Sequence, residues 1–121
     1  MKFAYINGNW SDEQLKVRIE TETKIRQIAK EHNFQYTDYL IKLCDCESML
    51  GLKLTNIIGN NPAGSIDRGY FMYNSYWQKG VSDDCAYNLE CSVKETINRI
   101  NQGKQTLWAC DKIVKGKVIF R

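Results

Sequence analysis

The 121-residue chain has one proline, one histidine and no apolar run longer than four residues. Runs that short exclude a bilayer-crossing helix, which needs about 20 apolar residues. A single histidine, His32, leaves Ser/His/Asp or Cys/His catalysis short of a base. Its place at the end of a predicted helix reads instead as a C-terminal residue favoured by the helix dipole. The eight glycines are scattered, and no G-x-x-x-x-G-K or G-x-G-x-x-G follows a strand, which removes the phosphate-cradling loops. There is no internal repeat, and Met1–Ile6 runs straight into polar Asn7-Gly8-Asn9 without the pattern of a secretory leader.

With 43% hydrophobic and 26% charged residues, the chain has the composition of one globular domain. The net charge of +3 is uneven: Lys104, Lys112, Lys115, Lys117 and Arg121 face only Asp111 in the last 18 residues. No groove-reading helix accompanies that basic tail, so it reads as a solvated end and nucleic acid is not an expected partner. Five cysteines (Cys44, Cys46, Cys85, Cys91 and Cys110) are dense for a reducing compartment and allow two bridges and a spare thiol. Zinc is the competing explanation, but C-x-C and C-x5-C with a remote His32 fit no usual ligand ladder. Disulfides are therefore expected, with no metal and no cofactor.

Residues 1–20 read two ways. Leu15, Val17, Ile19 and Thr21 alternate as in a strand, whereas Ser11 with Gln14 matches a capping box. From about Thr21, the spacing of Ile25, Ile28, Ala29 and His32 predicts a helix ending near Asn33. A second helix, capped by Thr37 or Asp38, aligns Leu40, Leu43, Cys44 and Glu47 on one stripe. Asn60-Asn61-Pro62-Ala63-Gly64 is a strong turn signal between predicted hairpin strands at 54–58 and 65–70. A third helix after Asp83 and Asp84 carries Leu89, Val93, Ile97 and Ile100 and stops at Gly103. Val114, Val118 and Phe120 suggest a terminal strand pairing with the N-terminal segment.

Carboxylates are the remaining chemistry. Glu47 ends an otherwise apolar helix face, where lost solvation raises a carboxyl pKa, unless it is an ordinary surface glutamate misplaced by one residue. Asp67 lies 20 residues on, just after a turn and among Ser65, Arg68 and Asn74, surroundings that keep a carboxylate ionised. One acid that holds its proton and one that does not are what glycosidic cleavage requires.

The run Cys46-Glu47-Ser48 followed by Gly64-Ser65-Ile66-Asp67-Arg68-Gly69-Tyr70-Phe71-Met72-Tyr73-Asn74-Ser75 resembles the lysozyme-like superfamily. The second part is similar to the β-hairpin motif of c-type lysozymes. The Glu-Ser pair is similar to lytic transglycosylases and to phage and bacterial muramidases. The likeness is close over residues 40–78 and looser from Ile25 to Cys110. It implies Glu47 as general acid and Asp67 as nucleophile or charge-stabilising carboxylate. It also implies Asn74 as the motif asparagine near the cleft, with Ser65, Tyr73 and Trp77 as further substrate-binding residues; Trp108 is expected to pack, near Glu47. Cysteine positions shared with compact relatives imply Cys46–Cys110 and Cys85–Cys91, leaving Cys44 free, although Cys44 in place of Cys46 would serve equally. The sequence departs from the family at Met72, where glutamine is usual, and at Gly51, where asparagine is frequent.

The resulting expectation is a mainly helical, lysozyme-like α+β domain over 21–112 with a small antiparallel β-hairpin insert. An N-terminal extension covers 1–20 and a basic segment covers 113–121. The expected activity is hydrolysis of the β-1,4 bond between N-acetylmuramic acid and N-acetylglucosamine. Two alternatives are a lytic transglycosylase using Glu47 alone and a non-catalytic peptidoglycan-binding module. A third is a disulfide-stapled structural domain with no cleft joining Glu47 to Asp67. The expected partners are peptidoglycan glycan strands, met by a monomer in an oxidising, secreted, cell-wall or phage-associated setting.

Overall fold

Ser11 settles the first ambiguity, because its hydroxyl accepts from Gln14 N at 3.1 Å while Gln14 Oε1 accepts from Ser11 N at 2.9 Å. That reciprocal cap starts α1 (Asp12–Glu31), nine residues ahead of the expected Thr21. Residues 12–20 are thus part of the main helix and no separate extension. The apparent strand alternation is accidental: Val17 is largely exposed, while the buried side chains Arg18, Thr21, Glu22, Ile25, Ile28 and Ala29 follow helical spacing. The structure, a computed structural model, describes residues 9–57 and 64–115.

α2 (Thr37–Ser48) buries Tyr39, Leu40, Ile41, Leu43, Cys44 and Ser48. Neither Thr37 nor Asp38 caps it. The N-cap is Tyr36, with no side-chain cap, and the Thr37 hydroxyl donates instead to Phe34 O. Three short strands follow: β1 (Thr55–Asn56), β2 (Asp67–Arg68) and β3 (Tyr73–Asn74). They form one antiparallel sheet in the order β1-β2-β3, where the sequence predicts only the first pairing. The added strand sets Asp67 directly opposite Asn74. The turn signal at 60–64 lies outside the described residues except for Gly64.

The expected third helix is two: α3 (Asp83–Tyr87), capped by Ser82, and α4 (Leu89–Asn101), capped by Asn88. Asn88 breaks the helix because its side chain accepts from Cys91 N at 2.8 Å, diverting the backbone into a new start. Val93, Ile97 and Ile100 face the core, which α1, α2 and α4 enclose together with Phe71, Tyr73 and Trp108. A 3-10 turn (Gln105–Leu107) leads to α5 (Asp111–Val114), so Val114 is helical, contrary to the expected strand; Val118, Phe120 and the proposed N-terminal partner lie outside the described residues.

Disulfides join Cys46 to Cys110 and Cys85 to Cys91, and Cys44 is free and buried. Cys46 is itself exposed: it reaches α5 from the helix side carrying Tyr39, whose hydroxyl donates to buried Asp111 at 2.6 Å. Two bridges point to an oxidising environment. Burial pushes the Cys44 thiol up to about 12, so it stays a neutral core group. Among the described residues no helix is long and apolar enough to cross a membrane, and no cluster of His, Cys, Asp and Glu could hold a metal.

Gly69 joins β2 to the turn before β3 at φ +80°, and a Cβ there would lie 1.7 Å from Ala86 O on α3. Gly69→Ala is expected to cost about 3 kcal/mol, from the left-handed backbone and the forced separation of sheet and helix. Urea unfolding measures it; a loss below about 1 kcal/mol would contradict this packing.

Candidate active site

Glu47 sits in the last turn of α2, and the chain leaves that helix through Met49, Leu50 and Gly51, all at positive φ (53°, 54° and 89°). Three left-handed residues in a row are strained for Met and Leu and are held by specific contacts. The Ser48 hydroxyl donates to Cys44 O and accepts from Gly51 N at 3.1 Å. Arg18 of α1, buried beneath the Trp10 ring, grips Asp45 through both carboxylate oxygens at 2.8 and 3.3 Å and donates to Met49 O at 3.1 Å. Gly51 has no room for a side chain, since its Cβ would stand 2.8 Å from the Tyr70 ring.

Asp67 is placed by the sheet. Its cross-strand partner Asn74 donates through Nδ2 to Asp67 Oδ1 at 3.0 Å, and the same nitrogen reaches Ser65 Oγ at 3.5 Å. Asn74 Oδ1 accepts from the N–H groups of Tyr76 and Trp77, both at 2.9 Å, so one amide ties Asp67 to the turn that presents Trp77. Arg68 locks the sheet from behind, donating to Tyr73 O, Gln78 O and Asp83.

Both carboxyls line one open cavity of about 470 Å³. Its lining also includes Met72, Asn74, Trp77 and Gln78 in and around β3, and Thr106, Leu107, Trp108 and Ala109 in the stretch before Cys110. Burial, with a smaller contribution from the Asp67 charge, pushes the Glu47 carboxyl up to about 7. Glu47 therefore holds a proton near neutral pH, next to a carboxylate that accepts a hydrogen bond. At the lip, Trp77 is 71% exposed and meets Tyr76 edge-to-face at 4.7 Å between centroids. A flat apolar surface with polar groups nearby suits the face of a sugar ring.

Of the expected substrate-binding residues, the structure brings Asn74 and Trp77 to the cavity. It does not bring Tyr73, which is fully buried: its hydroxyl pairs with Thr96 and its ring packs edge-to-face on Trp108 at 5.8 Å. Strand alternation turns Tyr73 inward where Asn74 faces the cleft. Ser65 is also buried and acts behind Asn74, away from the cavity lining. Trp108 packs as expected, with Nε1 donating to Phe71 O at 2.8 Å, and it also lines the cavity with Glu47.

Gln78 and, around the expected Trp108, Thr106, Leu107 and Ala109 escaped sequence reasoning, being in irregular segments. The Cys46–Cys110 bridge is the signal that finds the second group, because residues just before Cys110 must then stand beside Glu47. No family model, curated protein or solved structure matches the chain.

The raised Glu47 pKa makes stability depend on pH. The folded state binds this proton more tightly than the unfolded state, so the associated stabilisation is complete below about pH 4.5 and is lost as pH rises through about 7. Glu47→Gln is expected to be more stable than wild type by about 1–3 kcal/mol at pH 8 and nearly equal at pH 4. Urea melts at both pH values test this; a difference independent of pH would contradict it.

Proposed function

We propose that this chain is a peptidoglycan-cleaving muramidase with a lysozyme-like α+β fold, hydrolysing the β-1,4 bond between N-acetylmuramic acid and N-acetylglucosamine. The observation that carries the reading is the pairing of Glu47, raised to about 7, with hydrogen-bonded Asp67 in one open cavity. Glu47 gives its proton to the glycosidic oxygen as the bond to the anomeric carbon breaks. Asp67 supports the positive charge developing at that carbon, held in place by Asn74. Water then adds to the sugar while Glu47, now a carboxylate, takes the water's proton and is restored. The two disulfides fit a secreted, cell-wall or phage-associated setting, and the glycan strand is the partner.

Asp67 favours hydrolysis over transglycosylation, because the transglycosylases that the sequence resembles manage with the glutamate and let the muramyl 6-hydroxyl attack. Turbidity loss of purified cell walls tests the proposal. Glu47→Gln is expected to lower the rate about 10²- to 10⁴-fold and Asp67→Asn about 10²- to 10³-fold, with lytic activity falling as pH rises through about 7. Mass spectrometry of the products is expected to give reducing ends. Anhydro-muramic ends would overturn hydrolysis in favour of transglycosylation, and intact walls bound by wild type would reduce the chain to a binding module.

A further inference from the structure

Among the described residues, every buried side-chain N–H group at the cavity is committed to the protein except one. Asn74 Nδ2 is used by Asp67 and Ser65, and Trp108 Nε1 by Phe71 O. Gln78 Nε2 is buried and, among the described residues, has no acceptor. Gln105 Oε1 is similarly unpartnered, but Gln105 does not line the cavity.

The orientation of the Gln78 amide is fixed. Its Oε1 accepts from Asn74 N at 2.9 Å, and turning the amide over would set two donors against each other. The backbone is equally constrained: Gln78 N donates to Asn74 O, and Gln78 O accepts from Arg68 Nη2 and Val81 N. With the residue only 7% exposed, the side chain has little access to water as an alternative acceptor. A buried donor without a partner is unfavourable, and burial in a cavity wall lets a ligand relieve it.

We propose that Gln78 is a glycan-binding residue whose Nε2 donates to an uncharged oxygen of the bound sugar strand, an acetamido carbonyl or a hydroxyl. This rests on the muramidase reading of the same cavity. The acceptor is uncharged because Glu47 and Asp67 already disfavour an anion there, and because the neighbouring floor is the apolar Met72 side chain.

Calorimetric titration with chitotetraose and cellotetraose tests this in the Glu47→Gln parent, which stops turnover. Gln78→Met removes the donor without adding charge, and Gln78→Glu keeps the acceptor that Asn74 N uses. Both are expected to weaken chitotetraose binding about five- to tenfold, the loss of one hydrogen bond between neutral groups. If the acceptor is the acetamido carbonyl, the parent prefers chitotetraose to cellotetraose by that factor and the variants lose the preference. If it is a hydroxyl, the variants weaken binding to both sugars alike. In the parent itself, the Gln78 side-chain amide proton is expected to move downfield on titration, a readout that stands even where a variant fails to fold. Folded variants that bind as tightly as the parent, or an amide resonance unmoved at saturation, would overturn the assignment and leave the muramidase reading standing. A parent that binds neither sugar, from a wild type that dissolves no wall, would sink both.

Discussion

Taking the Glu47 carboxyl out of water disfavours its charged form, and a second carboxylate in the same cavity disfavours it further. The second effect requires two chain segments 20 residues apart to be held at one cavity. On the helix side, Arg18 binds Asp45 and Met49 O, on either side of Glu47 in sequence, and fixes the left-handed turn leaving α2. On the sheet side, Asn74 spends one end of its amide on Asp67 and the other on the turn carrying Trp77. Neither device contacts the other, so the relative placement of the two acids rests on the shared core behind them.

The Cys46–Cys110 bridge completes the cavity by fastening its far wall to the residue next to Glu47. A native bridge of this kind contributes about 2–5 kcal/mol in small domains, and here it also keeps Thr106–Ala109 in place to shield the carboxyl. Trp108 contributes to both structure and site. Its indole nitrogen is bound to Phe71 O and its ring lies on Tyr73, while the same residue closes the cavity beside Glu47. Core packing and solvation at the site are therefore inseparable, and a change that loosens Trp108 also wets Glu47.

Much of this was legible in the sequence because the informative residues are close together and chemically marked. The helical stripe ending in Glu47 marks a candidate desolvated acid beside the open reading of a surface glutamate, and the run around Asp67 marks a carboxylate in polar surroundings. What stayed hidden depends on contacts between distant segments. Arg18 sits in a stretch where β-branched residues imitate a strand, and only its burial against α2 reveals a structural role. The motif's resemblance implies a cleft position for Tyr73, whereas the period-2 alternation of β3 sends it into the core. Asn88 breaks a continuous apolar stripe by capping, a local hydrogen bond that periodicity does not register. Gln78 carries no motif at all, and both its contact with Asn74 N and its unpaired donor arise only in the folded turn.

The most direct test of the central claim is carbon-detected titration of the Glu47 side-chain carboxyl in wild type and in Asp67→Asn. The account predicts a midpoint near 7 in wild type. In the variant the midpoint moves down yet stays above the ordinary glutamate range, because burial is the larger cause and remains. A wild-type midpoint in the ordinary range, or one that does not move when the Asp67 charge is removed, would contradict it.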